Sequence, residues 1–360
     1  MKKIQSESYD IYLGERKFSQ IENFLQNKVY QSSKKIIIVD ENTRHFCLPE
    51  LLKSVKTLQT ANIIETKSGE KHKTIDDCKV IWEKLIELKT DRNSLVINLG
   101  GGMLSDIGGF VSSTFKRSIA YINIPTTLLA MVDASIGGKT GVNFGELKNQ
   151  IGVFSEPKAV FIVPEFLKSL LKNQILSAYA EIIKHALIAD EKYWETIKNT
   201  EILSNPNYLN LIIPSINIKN EIVRLDPYEK SERKKLNFGH TFGHAFEAFS
   251  HKQGKALLHG EAIAMGMICE AFISYKISGL GQTQFQEIIS LILKYFKLFA
   301  IKKQDFITLI EIMSHDKKNS CKEINFTLIN SIGQSEINRT CKKEIIIEAF
   351  DFYSQLLIEN

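Results

Sequence analysis

His240 and His244 stand four residues apart in Leu236-Asn237-Phe238-Gly239-His240-Thr241-Phe242-Gly243-His244, and Leu258-His259-Gly260-Glu261 follows downstream. On a helix, residues at that spacing project from one face, so the two imidazoles could meet a metal ion or an anionic substrate. A metalloprotease carries glutamate directly after the first such histidine as its general base. Here that position is Thr241. Peptidase chemistry therefore loses its base, and the pair belongs either to other metal chemistry or to a glycine-punctuated buried helix whose histidines are satisfied by hydrogen bonds.

Gly100-Gly101-Gly102 follows the run Ser94 to Leu99 and precedes Asp106 and Gly108-Gly109. Glycines at a strand-to-helix turn let the backbone approach a pyrophosphate, which amides at the helix N-terminus then hold. Ser105 stands where the strict G-x-G-x-x-G fingerprint ends in glycine, so a tight structural turn is an equal reading. Asp40, ending an earlier strand, could accept from a ribose hydroxyl or cap a helix. Pro125-Thr126-Thr127 offers two hydroxyls at a strand's carboxyl end, where open α/β sheets bind ligands. Gly137-Gly138-Lys139-Thr140 invites a P-loop reading that fails, because the glycine required five positions before Gly138 is Asp133. What remains, with Lys148-Asn149, is a glycine-rich segment suited to a small anion, or else a mobile surface loop. Glu181 and Lys184 lie one helical turn apart among apolar neighbours, as a surface ion pair or as a partly buried pair serving a ligand. Lys219, Arg233 and Asp316-Lys317-Lys318 each read singly as solvated surface charge.

The elements that must position these residues change character along the chain. Ile36 to Val39, Ser94 to Leu99, Ile119 to Ile124 and Ala159 to Val163 read as strands, with helical periodicity between them, as over Ile75 to Leu88. Beyond Pro164, Phe166–Ile188, Tyr208–Leu225, Phe242–Ser250, Glu261–Ile277 and Thr283–Leu298 carry helical patterns, and Ile324 to Gly333 could form a small hairpin. The expectation is an α/β Rossmann-like domain over 1–164 and a mostly α-helical domain over 165–360.

At 360 residues, 44% hydrophobic and 24% charged, the chain has the composition of an ordinary globular protein of two domains. Its net charge of +5 is modest and no basic run with interleaved aromatics occurs, which argues against a nucleic-acid partner while leaving an anionic small substrate compatible. Five scattered cysteines without a C-x-x-C pair suit free thiols in a reducing compartment. No signal peptide and no stretch of membrane-spanning length is found, so a cytoplasmic location and no membrane partner are expected.

Taken together and in this order, the segments resemble the 3-dehydroquinate synthase family, within the sugar phosphate cyclases. The resemblance runs from Gly69-Glu70-Lys71-His72-Lys73-Thr74 through Gly100-Gly101-Gly102, Asp106, Phe115-Lys116-Arg117, Ile124 to Leu129, Asp133 to Lys139, and Lys148-Asn149. It continues through Ala180 to Lys184, Arg233, Leu236 to His244, His259-Gly260-Glu261 and Asp316-Lys317-Lys318, essentially the whole chain. It implies a homodimer, with the active site in a cleft between an NAD⁺ domain and a helical metal domain. By this resemblance Glu181, His240 and His259 bind Zn²⁺ or Co²⁺, leaving His244 as a non-ligand near substrate. NAD⁺ falls to Asp40, Asn42, Glu70, Lys73, Gly101, Gly102, Asp106, Thr126, Thr127, Leu129, Lys148 and Ser169. An anionic sugar phosphate falls to Arg117, Asp133, Lys139, Asn149, Lys184, Lys219, Arg233, Asn237, His244 and Lys317.

The reaction so implied converts 3-deoxy-D-arabino-heptulosonate 7-phosphate into 3-dehydroquinate and phosphate, in the shikimate route to chorismate and the aromatic amino acids. Transient oxidation by NAD⁺ acidifies a neighbouring carbon–hydrogen bond, phosphate leaves by β-elimination, hydride returns, and ring opening with an intramolecular aldol closes the carbocycle. The chain departs from the family pattern at Ser105, Ser118, Ala178 and Ala186, which replace glycines, at Leu171-Lys172, which lacks a proline, and in a longer loop between His240 and His259. Two rivals share this architecture: a cyclase for sedoheptulose 7-phosphate, from which Asn237 with His244 points away, and a metal-dependent polyol dehydrogenase, which has no use for so many basic groups.

Overall fold

The β-branched runs of the first half form strands that are buried on both faces, as a parallel sheet covered by helices requires. In chain order the strands are β1 (Lys2–Gln5), β2 (Asp10–Leu13), β3 (Lys35–Asp40), β4 (Asn62–Thr66), β5 (Leu95–Gly100), β6 (Ala120–Pro125), β7 (Lys139–Phe144), β8 (Leu147–Phe154) and β9 (Ala159–Ile162). Seven of them join in the order β1-β2-β9-β6-β5-β3-β4, parallel except for β1, while β7 and β8 form a separate antiparallel hairpin. Helices α1 (Lys17–Leu25), α2 (Glu41–Phe46), α3 (Leu48–Ser54), α4 (Ile75–Glu87) and α5 (Gly102–Thr114) connect them. Cys78, Ile81 and Leu85 of α4 and Leu104, Ile107 and Val111 of α5 share one core with Ile36, Ile38 and Val96 of the sheet. This computed structural model describes residues 2–13, 17–145, 147–204, 206–314 and 323–359, and the chain divides into two compact units, 1–171 and 172–360.

Winding direction locates the first unit's binding edge. β4 lies on one side of β3 and β5 on the other, so the chain reverses between β3 and β5. In doubly wound sheets the crevice outside the carboxyl ends at such a reversal takes the ligand. Asp40 ends β3 and Gly100 ends β5, which puts the expected cofactor residues at that reversal.

The second unit contains α6 (Lys172–Ala189), α7 (Glu191–Lys198), α8 (Leu209–Leu225), α9 (His240–Lys252), α10 (His259–Ile277), α11 (Gln282–Tyr295), α12 (Phe306–Ser314) and α13 (Lys343–Glu359). The expected hairpin is present as β10 (Phe326–Ser331) and β11 (Gln334–Arg339). α10 is apolar nearly all round and buried from Ala262 to Ser274, as the central helix of a bundle must be, with α6, α9, α11, α13 and β10 packed on it. Among the described residues no helix is long and apolar enough to cross a membrane.

Some expectations are corrected. The helix read from Phe166 begins only at Lys172, because Pro164–Ser169 forms 3₁₀ turns and Leu170 is extended. The glycine-rich segment is no mobile loop: Ala130–Ala134 is a single π-helical turn, and Lys139 starts β7. Helical periodicity located α9, α10 and α11 but misplaced their ends by a few residues, where capping rather than periodicity decides.

Around Arg117 the backbone is strained. Lys116, Arg117 and Ser118 take φ of 48°, 67° and 96° in succession, and Ser118 has ψ 126°, a region suited to glycine. Ser118→Gly should raise stability by about 1 kcal/mol, read as a shifted midpoint in urea unfolding. An unchanged midpoint would mean the neighbouring chain already absorbs the strain.

Candidate functional site

Three helices of the second unit deliver three side chains to one point. Glu181 lies in the middle of α6, and His240 and His259 are the first residues of α9 and α10. A metal-binding atom from each lies within 4.8 Å of the other two. Glu181 Oε1 is 3.7 Å from His240 Nε2 and 3.5 Å from His259 Nε2. Gly260 makes this convergence possible: a Cβ there would sit 1.7 Å from the Ser177 carbonyl oxygen, one turn before Glu181, and its amide donates to Ser177 Oγ at 3.0 Å. The outer nitrogens of both rings are also engaged, His240 Nδ1 at 3.2 Å from the Phe238 carbonyl and His259 Nδ1 at 3.4 Å from Glu247 Oε2. This donor set, two imidazole Nε2 atoms and one carboxylate with outer partners holding the rings, fits a divalent transition metal with an open position.

A cation beside two helix N-termini meets the positive ends of their dipoles, so something must offset them. For α9 it is the buried Glu270 of α10, which accepts from the amides of Gly239 at 2.6 Å, Thr241 at 2.9 Å and Phe242 at 3.4 Å. For α10 it is Glu261, which accepts from the Leu258 amide at 2.8 Å. Burial alone would lower the His259 pKa, but hydrogen bonding and charge from Glu181 and Glu247 override it and push it up to about 9.

His244 is not among the three converging side chains, yet its ring centroid lies 5.3 Å from that of His240 and 6.2 Å from that of His259. The surface-pair reading of Glu181 and Lys184 is corrected: the two side chains are 1% and 2% exposed and in direct contact. Lys219 and Arg233, read singly as solvated charges, are buried as well. Asn237 donates to Glu229 Oε1 at 2.8 Å. Lys317 lies outside the described residues.

Asp226 builds the loop that carries Arg233. Its carboxylate accepts from the amides of Lys230 at 3.0 Å, Ser231 at 2.7 Å and Arg233 at 3.1 Å. Burial opposes the charge, but these amides and the Arg233 guanidinium more than offset it, holding the carboxyl below its ordinary 3.8. A depressed carboxyl stabilises the fold fully above its unfolded pKa and loses that contribution as pH falls through its folded value. Asp226→Asn should cost about 1–3 kcal/mol at neutral pH, a deficit that closes as pH falls through the depressed folded pKa of the carboxyl. Urea unfolding across pH reads this, and a deficit constant in pH would remove the charge from the account.

In the first unit the expected cofactor residues gather in two places. Asp40, Gly101, Gly102, Thr126 and Thr127 sit at the carboxyl ends of the adjacent strands β3, β5 and β6, with Asn42 just beyond in α2. Asp40 is the N-cap of α2, Oδ1 accepting from the Thr43 amide at 2.8 Å, so the capping alternative is realised. Thr126 N donates to Gly100 O at 3.0 Å, and Thr127 Oγ1 accepts from Ala130 N at 3.2 Å, at the start of the π-turn that follows Leu129 and carries Asp133. Glu70, Lys73 and Asp106 form the second group: Lys73 Nζ is 2.8 Å from Asp106 and 3.1 Å from Glu70. Burial opposes the Lys73 charge, yet the two carboxylates raise its pKa above the ordinary value. Close packing of helix on strand, the task of the fingerprint's last glycine, falls to Gly108 rather than to position 105, since a Cβ at Gly108 would meet Asn98 Oδ1 at 2.0 Å.

The remaining assigned residues are more exposed. Lys139, Lys148 and Asn149 lie on the β7–β8 hairpin, where Asn149, at φ 51°, donates its amide to Asn143 Oδ1 at 2.9 Å. Arg117 lies within the strained turn, and Ser169 Oγ donates to Phe166 O at 3.1 Å in the 3₁₀ segment after β9. Sequence reasoning missed Glu247, Glu270 and Asp226. Glu247 lies three residues after His244 on the same helical face, a signal that was legible, whereas Glu270 and Asp226 carry none.

Comparison with known proteins gives a consistent picture. The family described as 3-dehydroquinate synthase N-terminal matches residues 63–177, and that described as 3-dehydroquinate synthase C-terminal matches residues 178–319. The 3-dehydroquinate synthase of Parabacteroides distasonis is 42% identical over 339 residues, covering 94% of this chain and 95% of that protein. Among solved structures, 2-deoxy-scyllo-inosose synthase complexed with carbaglucose-6-phosphate, NAD⁺ and Co²⁺ superposes with a TM-score of 0.84 at 24% identity, covering 96% of this chain and 98% of its own. The 2-epi-5-epi-valiolone synthase of Streptomyces hygroscopicus with NAD⁺ and Zn²⁺ bound gives 0.81 at 22% identity, covering 99% of each chain. At those identities the two structures establish a shared fold.

Proposed function

The chain belongs to the 3-dehydroquinate synthase family, and on that premise we propose that it converts 3-deoxy-D-arabino-heptulosonate 7-phosphate into 3-dehydroquinate and phosphate with NAD⁺ and a divalent metal, Zn²⁺ or Co²⁺. The observation that carries this reading is the meeting of Glu181, His240 and His259 beside the buried Lys184. Bound there, the metal supplies Lewis acidity, and NAD⁺ at the β3/β5 reversal supplies a reversible hydride acceptor.

The chain's own residues do the rest. Glu181, His240 and His259 hold the ion, and His244 hydrogen-bonds substrate beside them. Asp40, Asn42, Gly101, Gly102, Thr126, Thr127 and Leu129 line the cofactor crevice, Glu70, Lys73 and Asp106 brace it, and Lys148 and Ser169 complete it. Lys139, Lys184, Lys219, Arg117, Arg233 and Lys317 supply fixed positive charge for carboxylate and phosphate, and Asp133, Asn149 and Asn237 orient hydroxyls. Because such charges are built into the fold, they need little reorganisation as charge develops on the leaving phosphate.

The test is a steady-state assay on the heptulosonate phosphate. Phosphate release without net NADH, lost on chelation and restored by Zn²⁺ or Co²⁺, is expected. Accumulating NADH would favour a dehydrogenase instead, and release from sedoheptulose 7-phosphate alone would favour another cyclase. The same reading places a homodimer in the cytoplasm. Phe144, Leu147 and Phe154, exposed on the β7–β8 hairpin, offer apolar surface for a second copy, and buried free thiols at Cys47, Cys78 and Cys269 suit a reducing compartment. Sedimentation velocity reads the oligomeric state.

A further inference from the structure

His240, His244 and Glu247 succeed one another along a single face of α9, and Glu247 points where the first residue of α10 arrives. Its side chain is only 8% exposed, so its charge needs a compensating partner. His259 is one: Nδ1 lies 3.4 Å from Glu247 Oε2, while Nε2 of the same ring faces Glu181 Oε1 at 3.5 Å. With Nδ1 donating to Glu247, Nε2 is left on the side that faces Glu181, where a metal bound between the two would take its lone pair. The ring of His240 is held differently, with Nδ1 at 3.2 Å from the neutral carbonyl of Phe238. The two imidazoles are therefore unequal. A carboxylate behind an imidazole fixes its tautomer and makes it a stronger donor to a metal, more than a carbonyl does.

We propose that Glu247 is a positioning residue of the metal centre, holding His259 with Nε2 toward Glu181 and strengthening it as a ligand. The proposal rests on the metal reading of Glu181, His240 and His259. It also gives a physical role to the long segment between His240 and His259, because the Ser250 hydroxyl donates to the Glu247 carbonyl at 2.7 Å and accepts from the Leu257 amide at 3.1 Å, tying the end of that segment to the turn that carries Glu247.

The experiment compares the full-length wild type with Glu247→Gln, Glu247→Ala and Glu181→Gln, measuring Zn²⁺ affinity by competition with a chromophoric chelator and the visible spectrum of the Co²⁺-loaded protein. Glu247→Ala should weaken Zn²⁺ binding by about 10–100-fold. Glu247→Gln should weaken it less, because its amide oxygen still accepts from Nδ1, but should shift the Co²⁺ spectrum. Should the alanine variant fail to fold, the near-isosteric glutamine variant decides. If Glu181→Gln loses Zn²⁺ while both Glu247 variants keep wild-type affinity and spectrum, the proposal falls and the metal reading stands. If Glu181→Gln also keeps Zn²⁺, the metal reading falls and the proposal with it.

Discussion

Glu181→Gln is expected to abolish binding of the proposed metal and to lower turnover by about 10³-fold, equivalent to about 4 kcal/mol of lost stabilisation. The glutamine keeps the size of the side chain and removes the only anionic member of the converging set. It also leaves Lys184, 2% exposed and in contact with Glu181, without its counter-charge. Removing one partner of a buried pair costs about 3–5 kcal/mol, whereas replacing both by apolar groups can be neutral. Two effects are thus superposed, and the double variant Glu181→Gln with Lys184→Met separates them: stability should return in urea unfolding while zinc, by elemental analysis, should not. Zinc undiminished in the single variant would move the ligand role elsewhere.

Gly260→Ala is expected to be the most damaging change of a single methyl group. Its Cβ would lie 1.7 Å from the Ser177 carbonyl oxygen, 2.4 Å from the carbonyl carbon and 2.7 Å from the Cα, all backbone of α6. No rotamer relieves a clash with backbone, so α6 and the start of α10 must separate, breaking the Gly260 to Ser177 hydrogen bond. The overpacking should cost about 3 kcal/mol. Because Glu181 and His259 are carried by those two helices, the separation also opens the proposed metal site, and a displacement of about 1 Å can cost about 10²-fold in rate. Thermal unfolding and metal content together read both consequences. A variant of wild-type stability and full metal content would show that α10 can shift without carrying His259 away.

The first unit was largely legible because its central strands are short β-branched runs buried on both faces, a pattern that few other local structures satisfy. The β7–β8 hairpin was not, since its strands carry glycine, asparagine and lysine, and β8 is exposed along most of its length. In the second unit periodicity located α9 and α10, yet it could not tell a buried Lys184, Lys219 or Arg233 from a surface charge. Burial of a charge depends on what packs against it, which the spacing of apolar residues along one helix does not reveal.

By itself the sequence determined the chemistry available: imidazoles one helical turn apart, a glycine turn after a strand, an excess of cations and the order of segments that marks the family. Tertiary structure alone decided which groups meet. Glu181, His240 and His259 ride on three different helices, and their encounter depends on a glycine that lets two backbones touch and on Glu270 neutralising the helix end that bears His240. Likewise Asp40 and Gly101 become neighbours only through the reversal of winding between β3 and β5. Spacing along a chain governs contacts within one helix or strand, while contacts between elements are set by how closely their backbones can approach, and that is a property of the packed whole.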